Sequence, residues 1–168
     1  GLKLTADFSY YDTAKDVTGT SATVPPLAKF GGAGTVSDND RGWYSAEVKG
    51  NYDIAASGVH TLGAGYHFDS YFIDNESWNA SDWKHDHRTT LKQADKGRTQ
   101  NYAVFVDDSW AITDQWTTYL GGRYESWKAL HASKQADTAS GRIRENLPDR
   151  SENNFAPKFA LGEFADRG

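Results

Sequence analysis

The stretch YAVFVDDSWAITDQWTTYLGGRYESW, residues 102–127, decides the fold. Two apolar-alternating runs flank a polar turn, Thr113-Asp114-Gln115. In the second run Trp116, Thr118, Leu120, Gly122 and Tyr124 share one parity, and Tyr119, Gly121, Arg123 and Glu125 share the other. A period of two sends successive side chains to opposite faces, which is a strand signal and not a helix signal. One face ends in Trp and Tyr while the other carries Arg and Glu, the arrangement a membrane-barrel strand needs.

Working outward, the same pattern recurs. Residues 2–11 alternate, with Leu2, Leu4, Ala6, Phe8 and Tyr10 on one side and Lys3, Thr5, Asp7, Ser9 and Tyr11 on the other. Residues 43–54 and 59–72 repeat it, and a sixth run spans 155–164, with Pro157 near its start marking an edge or a strand beginning. Between these runs the connections go long, short, long, short, long. The long ones are polar loops at about 12–40, 74–98 and 128–153, the first holding Pro25-Pro26 and a glycine cluster at 31–34. The short ones are 55–58, where Gly58 can supply a positive φ, and 113–115. Short turns on one side and long loops on the other are the habit of outer-membrane barrels. Runs of about ten residues match the 9–11 that a tilted strand needs to cross a bilayer. Aromatics gather near strand ends (Tyr10, Trp43, Tyr44, Phe68, Trp110, Trp116, Tyr124), as interfacial girdles do.

The fold class expected is therefore all-β: an antiparallel up-and-down transmembrane β-barrel segment of about six strands, with long outer loops and short periplasmic turns. Asp108 is the misfit, because it shares the greasy parity of Tyr102, Val104 and Val106. Either it sits at the periplasmic rim or a β-bulge resets the parity.

Composition is compatible with this. Aromatics make up 14% of the 168 residues, yet the mean hydropathy is -0.74. A barrel wall averages this way because every second residue faces a polar lumen; a soluble β-sandwich can show the same values. No apolar run is long enough for a membrane helix. With Cys 0, disulfides, thiolate metal sites and thiol chemistry are excluded. A net charge of -5 and the lack of a basic stripe argue against nucleic acid as a partner.

NYAVFVDDSW, ITDQW and LGGRYESW together resemble the mid-barrel of TonB-dependent outer-membrane receptors. Residues 154–158, Asn-Phe-Ala-Pro-Lys, resemble that family's next strand start, with Ala156 where the family usually has Ser. The resemblance implies a barrel of about 22 strands in the bacterial outer membrane, of which residues 1–168 are expected to be a partial barrel domain, the plug and its TonB box lying outside them. It implies outer-membrane lipid around the wall, the TonB complex as a partner engaged through the plug, and ferric siderophores or similar chelates as cargo. It implies no enzyme activity and no resident cofactor. The alternatives are a passive porin-like barrel and a soluble β-rich binding or adhesion domain.

Candidate ligand-binding residues cluster in the second long loop. Trp78 and Trp83 could stack on an aromatic siderophore or simply pack the loop. His85 and His87 form a weak His-x-His pattern beside Asp82 and Asp86, which reads as a solvated loop or as a contact for a metal or haem. Arg88 belongs to a basic stretch, 84–98, that could draw anionic cargo. Lys49, Arg123 and Glu125 are expected on the lumen side, Arg123 and Glu125 as ligand groups or as a cross-strand ion pair. No catalytic set is readable; adjacent carboxylates such as Asp107 and Asp108 point to opposite faces.

In the full-length protein Leu62→Arg is expected to cost about 2–4 kcal/mol, and Thr61→Arg little, when unfolding from bilayers is followed. Equal costs at the two positions would sink the barrel reading.

Overall fold

A computed structural model describes residues 1–54 and 59–163. They form one antiparallel sheet: β1 (Leu2–Asp12), β2 (Val17–Ser21), β3 (Gly34–Ile54), β4 (His60–Asp82), β5 (His87–Ala111), β6 (Trp116–Thr138), β7 (Gly141–Asn146) and β8 (Arg150–Glu163). A single 3-10 turn, Leu27–Phe30, interrupts the strands. The ladder runs β1-β3-β4-β5-β6, with β2 added to β3 and both β7 and β8 to β6. β1 lies along the lower half of β3 and β2 along its upper half. In the same way β8 and β7 share the length of β6. Eight strands thus make the six staves expected. The expected turn at 55–58 and the last residue of the sixth run, Phe164, lie outside the described residues.

The outer connections differ from expectation. The segment 74–98 is not a loop: β4 runs up to Asp82 and β5 returns from His87, leaving four residues at the tip. Likewise 128–153 is mostly strand, and 34–40 is the upper part of β3. Above the bilayer, pairing needs no apolar alternation. It is held by the backbone ladder and by ion pairs, such as Lys96 Nζ with Asp74 Oδ2 at 2.7 Å and Glu76 Oε1 at 3.3 Å.

Register assigns every side chain to a face. Rows such as Ala6–Val48–Tyr66–Val104–Tyr124–Phe155 and Leu2–Tyr52–Leu62–Asp108–Leu120–Phe159 cross the sheet on one face. That face is apolar and open, with Val104 53% and Val106 59% exposed. An apolar strip this continuous is a liability in water and a requirement against lipid. Tyr44, Phe68 and Tyr102 form a contiguous aromatic group on its upper margin, with centroids 5.6 and 4.8 Å apart. Trp110 and Trp116 stand at the other end. Trp43 is a correction: it lies on the polar face, stacked on Tyr11 at 6.5 Å.

The turn joining β5 and β6 follows its chemistry. Thr113 Oγ1 accepts from the Gln115 and Trp116 amides at 3.2 and 3.0 Å, while Ile112 donates to the Trp116 carbonyl at 2.8 Å. Thr113 is therefore the residue that closes the hairpin. Pro157 lies in the middle of β8, opposite Gly122, and does not begin a strand. Asp108 pairs with Leu62 and Leu120 in unbroken register, so no bulge resets its parity. It sits on the apolar face near the short turn, where His60 Nδ1 lies 2.9 Å from its Oδ2. The imidazole in turn stacks on Trp110 at 5.3 Å.

Because Leu62 faces Asp108, an arginine there would meet a carboxylate. Val104, halfway along β5 among apolar neighbours, is the cleaner probe. Val104→Arg should lower unfolding free energy in vesicles by about 2–4 kcal/mol, and Leu62→Arg by less; the reverse order would contradict this placement of the lipid face.

Candidate functional site

Two groups of side chains concentrate the sheet's chemistry: the tip of the β4–β5 hairpin and the middle of the polar face.

At the tip, Asp82 ends β4 and gathers partners. Its Oδ1 accepts from the Lys84 amide at 3.0 Å and the Gly32 amide at 3.4 Å, and its Oδ2 lies 2.7 Å from His85 Nδ1. The His85 hydrogen bond, aided by these amides, holds the Asp82 carboxyl well below its ordinary value, at about 2. The Trp83 amide donates to the Gly32 carbonyl at 3.0 Å, and Lys84 Nζ donates to the Lys29 carbonyl at 3.0 Å. Trp83 lies against Gly19 and Gly34, where a Cβ would fall 2.8 and 3.0 Å from indole carbons. Gly31, at φ +88, takes a backbone form that favours glycine and leaves room for the Asp82 carboxylate. The tip is thus clasped to the segment carrying β2 and the 3-10 turn.

This places the five outer candidates. Trp83 and His85 are in the tip and engaged in the clasp. Trp78 is on β4 and not in a loop, its indole donating to Glu76 Oε2 at 3.1 Å. His87 and Arg88 open β5. Arg88 donates through Nε to Asp86 Oδ1 at 2.6 Å and through both terminal amines to Asp38 Oδ2 at 3.2 Å. The Asp86 hydrogen bond, with help from Asp38, raises its pKa above the ordinary arginine value. The His85 and His87 rings are 6.3 Å apart, and among the described residues no three His, Asp or Glu groups are placed to hold a metal.

On the polar face, Lys49, Phe105 and Arg123 fall in one row with Gly65 between the first two. The Phe105 ring lies over Gly65, in the space a Cβ would take. Lys49 Nζ and the Arg123 guanidinium approach that ring at 5.8 and 5.9 Å. Asp107 sits one row below, between Gly63 and Gly121, which make room for its carboxylate. Lys49 Nζ is 3.9 Å from Asp107 Oδ2. Arg123 Nε donates to Glu125 Oε1 at 2.6 Å. That pair runs along β6, two residues apart, and not across strands as expected. In the row above, His67 contacts Glu47 at 3.1 Å and Asp69 at 3.5 Å.

Parity placed Lys49, Arg123 and Glu125 on the polar face, where the register has them. It missed Phe105, Asp107 and Lys158, whose neighbourhood depends on cross-strand register. The available signal was size pairing: Gly63, Gly65 and Gly121 each sit beside a larger residue of the adjacent strand. The run Gly121-Gly122 serves both faces, since a Cβ at Gly122 would fall 3.0 Å from the Phe155 ring on the apolar side.

A sheet with one lipid-type face, one charged face and tall hairpins at one end narrows the family. The family model described as TonB dependent receptor-like, beta-barrel matches residues 1–167. The chain belongs to the TonB-dependent receptor β-barrel family. Among curated proteins no match is found. Members of this family are outer-membrane receptors for transport, which sets the passive-porin alternative behind the receptor reading.

The clasp gives a pH dependence whose sign is set by Asp82. Its carboxyl is depressed in the folded state, so the stabilisation is present above the ordinary aspartate range and is lost as pH falls from about 4 toward about 2. Nitroxide labels at Ala28→Cys and His87→Cys should report one narrow distance at pH 7 and 5 and a broad one near pH 2. Asp82→Asn should broaden it at every pH; a distance indifferent to both changes would show that Asp82 does not hold the tip.

Proposed function

We propose that this chain forms part of the wall of a receptor that binds a ferric siderophore or similar metal chelate at the cell surface and imports it with energy from the TonB complex. The observation that carries this reading is the union, in one sheet of this family, of a lipid-type apolar face with a charged lumenal face and hairpins rising far beyond the bilayer. Tall hairpins around a lumen make a funnel that can select cargo before it enters. The charged wall beneath offers polar contacts and performs no bond chemistry.

Within this reading the outer candidates divide. His87 remains available for cargo, whereas Trp78 shares the parity of Leu62 and Tyr66 and stands on the outer face. Trp83, His85 and Arg88 hold the hairpins in shape, so their substitution would disturb the funnel more than a direct contact. The sheet is a partial barrel: β1 and β8 each leave one backbone edge unpaired among the described residues. Hydrocarbon does not tolerate such edges, so further strands of the receptor close the wall. The TonB complex acts through the receptor's plug.

A strain deleted for the receptor, complemented with the full-length gene, should regain growth on a subset of a panel of iron chelates only when TonB is present. Growth restored without TonB would return the reading to a passive pore.

A further inference from the structure

The mid-wall cluster presents more cation than it neutralises. A concavity of about 480 Å3 on the polar face brings together Lys49, Phe105, Asp107, Tyr119, Arg123 and Lys158, with Glu47 at its margin. Its carboxylates are occupied or recessed. Glu47 contacts His67, Glu125 takes the Arg123 Nε–H, and Asp107 is 13% exposed between its two glycines. The cations are less committed. Lys49 Nζ stands 3.9 Å from Asp107 Oδ2, beyond hydrogen-bond reach. Lys158 Nζ lies over the Tyr119 ring at 4.9 Å, and among the described residues it has no carboxylate partner. The Arg123–Glu125 hydrogen bond uses Nε alone. The Phe105 ring between Lys49 and Arg123 gives the group an apolar floor.

We propose that Lys49, Arg123 and Lys158 form an oxyanion-binding subsite in the wall, well below the hairpin tips. It takes a carboxylate or similar oxyanion, presented either by a small anion in transit or by an acidic side chain of the receptor's own interior. This rests on the charged face being lumenal, and it deepens the transport reading by naming the chemistry that meets the wall midway. A planar guanidinium and two ammonium groups lining one concavity suit a group with several oxygens better than a single point charge.

The test uses the purified full-length receptor in detergent at low salt, with citrate as probe and glycerol as neutral control. Lys49→Gln with Lys158→Gln removes two cations without touching the Arg123–Glu125 pair. Citrate binding to the wild type, at least about tenfold weaker in the double variant and absent for glycerol, supports a subsite open to small anions. If citrate does not bind the wild type, a fall in the receptor's Tm in the Gln variant, restored by Lys49→Arg with Lys158→Arg, supports occupation by an internal carboxylate. Equal citrate binding in both proteins overturns the proposal. So does a non-binding wild type whose Tm is unchanged in the Gln variant, or falls without rescue by Arg. These readouts do not involve uptake, so failure of the TonB-dependent growth test would leave them standing.

Discussion

Hydrocarbon offers no hydrogen-bond partner to a peptide group, and that constraint organises the whole sheet. Each N–H and C=O at membrane depth must be met by a neighbouring strand, so the ladder is uninterrupted from β1 through β6 to β8 where the apolar face is present. Irregularities occur only above that zone: between Ser77 and Asp82 in the β4–β5 pair, and between Lys96 and Arg98 opposite β6. The glycines follow from the same demand. Strands at ladder spacing cannot move apart to admit a large side chain, so Gly65 yields to Phe105 and Gly63 and Gly121 yield to Asp107.

Asp108 shows how a charge on the lipid-facing side is managed. Asp108 stays in register and near the short turn, with His60 against one carboxylate oxygen and Trp110 behind the imidazole. A carboxylate there is tolerable because a partner lies beside it and the interface is close. Further from the turn, at Val104 or Val106, neither condition holds.

Much of the wall was legible in the sequence because a bilayer enforces alternation. Leu2 to Phe8, Tyr44 to Ile54 and Val104 to Tyr124 announce their faces one by one. The outer hairpins were not legible, because outside the bilayer alternation has no energetic reason. The polar run Asp74, Asn75, Glu76, Ser77 reads as loop, yet it is strand, held by backbone pairing and by charges such as Lys96. At the candidate site the same divide applies. Arg123 and Glu125 were visible from parity on their own strand. Phe105, Asp107 and Lys158 came into view only with register, since nothing in a single strand says which row of the next one it meets.

The length of β4 and β5 has a mechanical meaning. At about 3.3 Å per residue, the 23 residues of β4 extend roughly 75 Å, of which a bilayer crossing uses about 9–11 residues. More than half of the hairpin is therefore a cantilever rooted in the membrane. A ladder is stiff along its strands, so a displacement at the clasped tip travels toward the root with little loss except at the two irregular stretches. Those are the compliant joints. A load on the tip meets those two stretches before it meets the unbroken ladder of the membrane zone.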